Sequence, residues 1–82
     1  MSEFVVYVLS SSTTDKLYKG YTSNLILRML SHNKLGKGWT ARYRPWRVVH
    51  VEFYGTKNAA ISREKWLKTG VGREWLKVHA QI

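Results

Sequence analysis

Near the start of the chain, Phe4 to Leu9 reads FVVYVL, with an aromatic or aliphatic side chain at every position. A strand that alternates can leave one face to water. This one cannot, so it is expected as a central strand covered on both sides. In a chain of 82 residues the demand is severe, because a domain this small buries only roughly 60% of its unfolded surface. Most of the remaining chain must pack around that one strand. Hydrophobic residues at 44%, with four Trp, five Tyr and two Phe, suffice for one core and exclude a disordered tail. The apolar run is too short to cross a membrane and no export signal is visible, which makes the cytoplasm the expected location. With no Cys, a disulfide scaffold, Cys-ligated zinc and a thiol nucleophile are excluded.

The polar loop Ser10 to Asp15 (SSSTTD) leads into a second strand, Lys16 to Thr22. The loop is too short for a crossover, so the pair is antiparallel. Ser23 is the expected N-cap of a helix over Asn24 to Asn33, with Leu25, Ile26, Met29 and Leu30 on its apolar stripe. Arg47 to Tyr54 alternates as a third strand with Val49, Val51 and Phe53 on one face. Thr56 is the expected cap of a second helix, Lys57 to Lys68. Gly70 and Gly72 then break the chain, and Arg73 to Ala80 forms a last helical turn or two. The order ββαβαα predicts an α+β fold, a three-stranded antiparallel sheet flanked by helices.

Charge narrows the partner. Fourteen Lys and Arg against five Asp and Glu give a net charge of +9. On a folded chain that excess favours a polyanion, most often nucleic acid. An anionic membrane is the weaker reading, since no helix sets a clean apolar face against a Lys-rich one. The cations concentrate between Lys34 and Arg47 (KLGKGWTARYRPWR), where Lys34, Lys37, Arg42, Arg44 and Arg47 interleave with Trp39, Tyr43 and Trp46. Such a loop can neutralise phosphates and stack on bases. It could equally be a solvated loop with Trp39 and Trp46 tucked into the core.

Few residues can carry chemistry. Glu3 lies at a fraying end, Asp15 in a turn, and Glu52 alternates outward on the third strand. Glu74 falls in the first turn of the last helix, where the dipole favours a carboxylate. Glu64 lies mid-helix beside the packed face, so it needs either a cation or a metal as partner. Arg28 and His32 stand four apart on the first helix and could clamp a phosphate, with His32 also able to move a proton. Two solvated residues beside the core would read the same. Tyr7 and Tyr18 lie on paired strands, where each phenol must find a bond or reach a cleft; plain cross-strand packing is the alternative.

Together these residues resemble the GIY-YIG nuclease superfamily, over nearly the whole chain. Val5-Val6-Tyr7 stands in place of Gly-Ile-Tyr, and Tyr18-Lys19-Gly20 follows with the two tyrosines eleven residues apart. Gly20-Tyr21-Thr22, the helix with Arg28, His32-Asn33 and Gly36-Lys37-Gly38 are similar to the small stand-alone branch, which is related to the N-terminal nuclease domain of the bacterial excinuclease. Ala60-Ile61-Ser62-Arg63-Glu64, followed by Leu67-Lys68, resembles the family's metal-binding helix. The resemblance implies one GIY-YIG-like domain over residues 1–82. It further implies a DNA endonuclease working in repair, recombination or mobile-element biology with one divalent cation, Mg2+ or Mn2+. Glu64 would hold that metal. Tyr7 would be the base, Tyr18 would position water or phosphate, Arg28 would stabilise transition-state charge and His32 would assist proton transfer or hold the phosphate. Tyr21 stands where some relatives have Lys and is a further catalytic candidate. The pattern departs from the family at Val5, at Lys19 and in Thr69-Gly70-Val71-Gly72, which lacks a late Asn. The alternative is a nucleic-acid-binding module that keeps the fold without cleavage. A protein partner for targeting fits either reading.

Overall fold

The computed structural model describes residues 3–80. Three strands, β1 (Phe4–Ser11), β2 (Leu17–Thr22) and β3 (Trp46–Tyr54), form one antiparallel sheet in the order β2-β1-β3. The all-apolar run is thus the central strand, and every β1 residue after Phe4 is buried. Helices α1 (Leu25–Leu30), α2 (Lys57–Leu67) and α3 (Gly70–His79) complete the expected α+β order. No helix among the described residues is long and apolar enough to cross a membrane.

The period of two along β1 divides the core into halves. Val6 and Val8 point to one face and pack with Val49, Ala60, Leu67 and Leu76 under α2 and α3. Val5, Tyr7 and Leu9 point to the other and pack with Trp46, flanked by Tyr18, Leu25, Met29 and Tyr43. Leu67 and Leu76 are fully buried, so each holds its helix down by burying most of an aliphatic side chain, about 1.5–3 kcal/mol apiece.

Local details differ from the sequence reading, each for a definable reason. Asn24, not Ser23, caps α1, its Oδ1 accepting from Leu27 N–H at 3.1 Å. The helix ends at Leu30 and relaxes into a π-helical turn, Ser31–Leu35. Only the positions that face the narrow sheet are covered: Leu25 and Met29 are half-buried, followed by His32. Ile26 is 83% exposed and Leu30 39%, so the expected stripe is narrower than four residues.

The β1–β3 register slips between Val8, opposite His50, and Leu9, opposite Val48. That bulge makes Val49 the extra residue and turns it onto the helix face, away from Val51 and Phe53. The three do not share a face. The same register sends Glu52 inward with Val6, its cross-strand partner, instead of out to solvent.

Thr56 caps α2 as expected, accepting from Ala59 N–H at 3.2 Å. Gly70 and Gly72, by contrast, do not break the chain. Thr69 caps α3 by accepting from Gly72 N–H at 3.1 Å, and the helix starts at Gly70. A Cβ on Gly72 would lie 2.6 Å from Leu67 Cα, so that glycine is what lets α3 seat on the end of α2. Glu74 consequently falls one turn later than expected and pairs with Lys77 at 3.1 Å.

Candidate active site

Tyr7 and Gly20 are opposite each other on β1 and β2. The Tyr7 ring lies across the glycine: a Cβ at position 20 would come within 2.7 Å of Tyr7 Oη. The glycine therefore opens the channel that lets a fully buried phenol reach the far side of its own strand pair. There Tyr7 Oη meets His32 Nε2 at 3.0 Å. The His32 ring packs against Tyr18 with centroids 4.7 Å apart. The π-helical turn is what swings His32 inward, where it is 5% exposed.

Burial pushes the Tyr7 phenol above its ordinary value; the Arg28 guanidinium beside it pulls the other way without prevailing, and Tyr18 and Glu64 add to the rise. Burial, helped by the fields of Arg28 and Arg44, lowers the His32 imidazole. His32 is therefore neutral at pH 7. Its Nδ1 is buried with no partner. An orphaned buried N–H is rarer than an orphaned acceptor, which assigns the proton to Nε2 and makes His32 the donor to Tyr7 Oη. Such a donor favours the ionised phenol.

Beside this cluster lies a cleft of about 380 Å³, lined by Tyr18, Gly20, Tyr21, Arg28, Lys57 and Glu64, among others. Glu64 reaches it from α2 with its side chain 15% exposed. Lys68 Nζ sits 3.0 Å from Glu64 Oε1, and no hydrogen bond among the described residues takes Oε2. Tyr21 spans two roles, lining the cleft while packing on the Val6 half of the core. Lys57 also enters the cleft. Sequence reasoning missed it, although it stands two helical turns before Glu64 and thus on the same side of α2.

Among the described residues no three of His, Cys, Asp and Glu come together. The donor set, one glutamate with a free oxygen in an open polar cleft, does not suit zinc. It fits a hard cation that keeps most of its waters and completes its shell with substrate oxygens.

The basic loop divides. Lys34, Lys37, Arg42 and Arg47 are exposed, while Trp46 is 3% exposed and Trp39 44%. Trp39 lies 6.3 Å from the Tyr18 ring, so the loop abuts the tyrosines. Arg44 turns inward. Its Nε donates to His32 O at 2.5 Å and its Nη2 to Ser31 O and Gly36 O at 3.0 and 2.5 Å, which ties down the turn that aims His32. Asn33 adds a second tie, accepting from Trp46 N–H at 2.6 Å and donating to Trp46 O at 3.0 Å.

Changing Lys34, Lys37 and Arg42 together to Ala should weaken nucleic-acid binding and flatten its salt dependence with melting unchanged. Arg44→Ala should instead cost about 2 kcal/mol of stability, since three carbonyls lose a charged donor. Equal melting of Arg44→Ala and wild type would refute that structural role.

A buried tyrosine pair, an arginine, a histidine and a helix glutamate around one cleft of a β2-β1-β3 sheet define a nuclease-type domain. The chain belongs to the GIY-YIG family: it matches the GIY-YIG catalytic domain over residues 3–75. Its relatives include a UPF0213 protein of Staphylococcus haemolyticus, 35% identical over 80 residues and covering 95% of each chain. Another, from Syntrophus aciditrophicus, is 38% identical over 71 residues, 83% of this chain and 79% of that one. The solution NMR structure of a UPF0213 protein from Bacillus halodurans has the same fold, with a TM-score of 0.57 at 24% identity over 93% of this chain and 83% of that one.

Proposed function

We propose that residues 1–82 form one catalytic domain, a cytoplasmic endonuclease that hydrolyses phosphodiester bonds in DNA with one divalent cation, Mg2+ or Mn2+. The observation that carries this reading is the convergence of Tyr18, Arg28 and Glu64, from β2, α1 and α2, on a single cleft with Tyr7 and His32 behind it. A module that only bound nucleic acid would have no use for a carboxylate facing a phosphate site. The cation, held by the free oxygen of Glu64, would neutralise charge on the scissile phosphate and its leaving oxygen. Arg28 supplies a fixed positive charge where the transition state gains negative charge. Tyr7 Oη accepts the proton of the attacking water, and the His32 Nε2–H donated to that oxygen stabilises the phenolate. Tyr18, partly exposed beside His32, orients water or phosphate, and Tyr21 borders the same space. The exposed loop cations and Trp39 hold the flanking strand. The family resemblance supports a setting in repair, recombination or mobile-element biology, with a protein partner supplying the target.

The test is cleavage of supercoiled plasmid and branched DNA with magnesium, with manganese and with EDTA. Metal-dependent cutting is expected. Because burial raises the Tyr7 phenol, its ionised fraction is small at neutral pH and grows with alkalinity. The rate should climb about tenfold per pH unit above neutrality, and Tyr7→Phe should be slow and flat. DNA binding without cutting on any substrate would favour the non-catalytic module.

A further inference from the structure

Lys19 occupies the place of the aliphatic residue in the family's second motif, and catalysis as proposed above makes no use of it. On β2, an edge strand, it pairs with Val8 and so faces α2 and α3. It is half-buried. Lys68 and Arg73 stand near it, and Arg73 Nη1 donates to Lys68 O at 3.1 Å. Burial and these two like charges push the Lys19 ammonium down. Lys68 is the one of the three with a carboxylate partner among the described residues, Glu64. Glu52 is taken by Arg63 and His50, and Glu74 by Lys77. Three crowded cations sharing one carboxylate are an incomplete arrangement, which an anion would complete.

Positions 57, 64 and 68 repeat the seven-then-four spacing of one helix face. Lys57 therefore lies on one side of Glu64, and Lys68, with Lys19 and Arg73 beyond it, on the other. Eleven residues of helix span about 16 Å. One strand of a B-form duplex places roughly five phosphates in that length.

We infer that the phosphate backbone of one DNA strand runs along the cleft face of α2, gripped by Lys57 before Glu64 and by Lys68, Lys19 and Arg73 after it. The inference rests on the nuclease reading and adds the path of the substrate. It also gives the departure at position 19 a purpose: the strand keeps its fold while its edge gains a cation. When DNA arrives, Lys68 exchanges Glu64 for phosphate, which frees both carboxylate oxygens.

Binding of a short labelled duplex, measured in EDTA across a range of salt, tests this without any cleavage. The Lys19→Gln/Arg73→Gln double variant should bind more weakly, with the slope of log affinity against log salt shallower by about two. Lys19→Ile restores the residue expected of the motif and suits a strand, so it should fold at least as well as wild type and flatten the slope by about one. Far-ultraviolet circular dichroism and melting verify the fold of each. Wild-type slopes in both variants, with wild type binding normally, would overturn the path along α2 and leave the nuclease reading standing. A wild-type protein that binds no DNA would overturn both.

Discussion

Glu64→Ala should lower metal-dependent cleavage by at least about 10³-fold while DNA affinity in EDTA stays the same or rises. Among the described residues no cluster of three metal-ligating side chains is present, so no second carboxylate in the cleft can take over when this one is removed. Affinity should not fall, because the excess of cations supplies it independently. Removing Glu64 also releases Lys68 from its 3.0 Å ion pair and raises the net charge by one, both of which favour a polyanion. Glu64→Gln keeps the shape and should be nearly as inactive, which separates charge from packing. Cleavage by either variant within tenfold of wild type would remove Glu64 from the metal site. A parallel loss of DNA binding would point instead to a collapsed cleft.

The largest effect on stability should come from the other face of the sheet. Arg63 holds Glu52 with two parallel hydrogen bonds, Nε to Oε1 at 2.8 Å and Nη2 to Oε2 at 3.0 Å. His50 Nε2 lies 2.8 Å from Oε2, and Tyr54 Oη donates to Oε1 at 2.6 Å. The guanidinium is also stacked over Trp66 and Trp75, 4.4 and 4.7 Å from their centroids. Burial alone would push the Glu52 carboxyl up; the bonds from Arg63, His50 and Tyr54 outweigh it and hold it at about 2, against an ordinary 4.5. A carboxyl lowered by folding stabilises the native state above its ordinary range, and that contribution fades as pH falls from about 4.5 toward about 2. The amount at stake is about 3 kcal/mol. Arg63→Ala leaves the carboxylate short of its main partner and removes the cation between two indoles, so at pH 7 it should cost about 3 kcal/mol. Urea unfolding at pH 7 and at pH 3 measures both effects. The variant's deficit should shrink at pH 3, where unfolded Glu52 is protonated. A variant as stable as wild type at pH 7 would refute the role of the cluster.

Much of the candidate site was legible because its chemistry is carried by residue type and spacing. Two tyrosines eleven apart on paired strands, an Arg–His pair on a helix, and a mid-helix glutamate beside an apolar face can each be read locally. Their convergence could not be, since it joins β1, β2, α1 and α2 across the chain. Lys57 passed unnoticed for that reason: a lysine opening a helix looks like any solvated cation until the cleft is seen. Arg44 misled in the opposite way, because a basic residue in a basic loop gives no sign that three carbonyls already claim it.

The sequence by itself determined the order ββαβαα, the central place of Phe4 to Leu9 and the cap at Thr56. Each of these depends on the polarity and shape of a few neighbouring residues. It also determined the charge excess, a sum that no fold alters. Only the tertiary structure decided which way β3 faces. The bulge opposite Val8 and Leu9 turns Val49 toward the helices, and the pairing of Glu52 with Val6 carries that carboxylate inward to Arg63. Strand register is set by contacts between segments some forty residues apart, and a single extra residue reverses every side chain beyond it. Tertiary packing likewise placed Lys19 beside Lys68 and Arg73, and Gly72 against Leu67. Neither closeness is written in the spacing, because each arises only when separate elements share one small core.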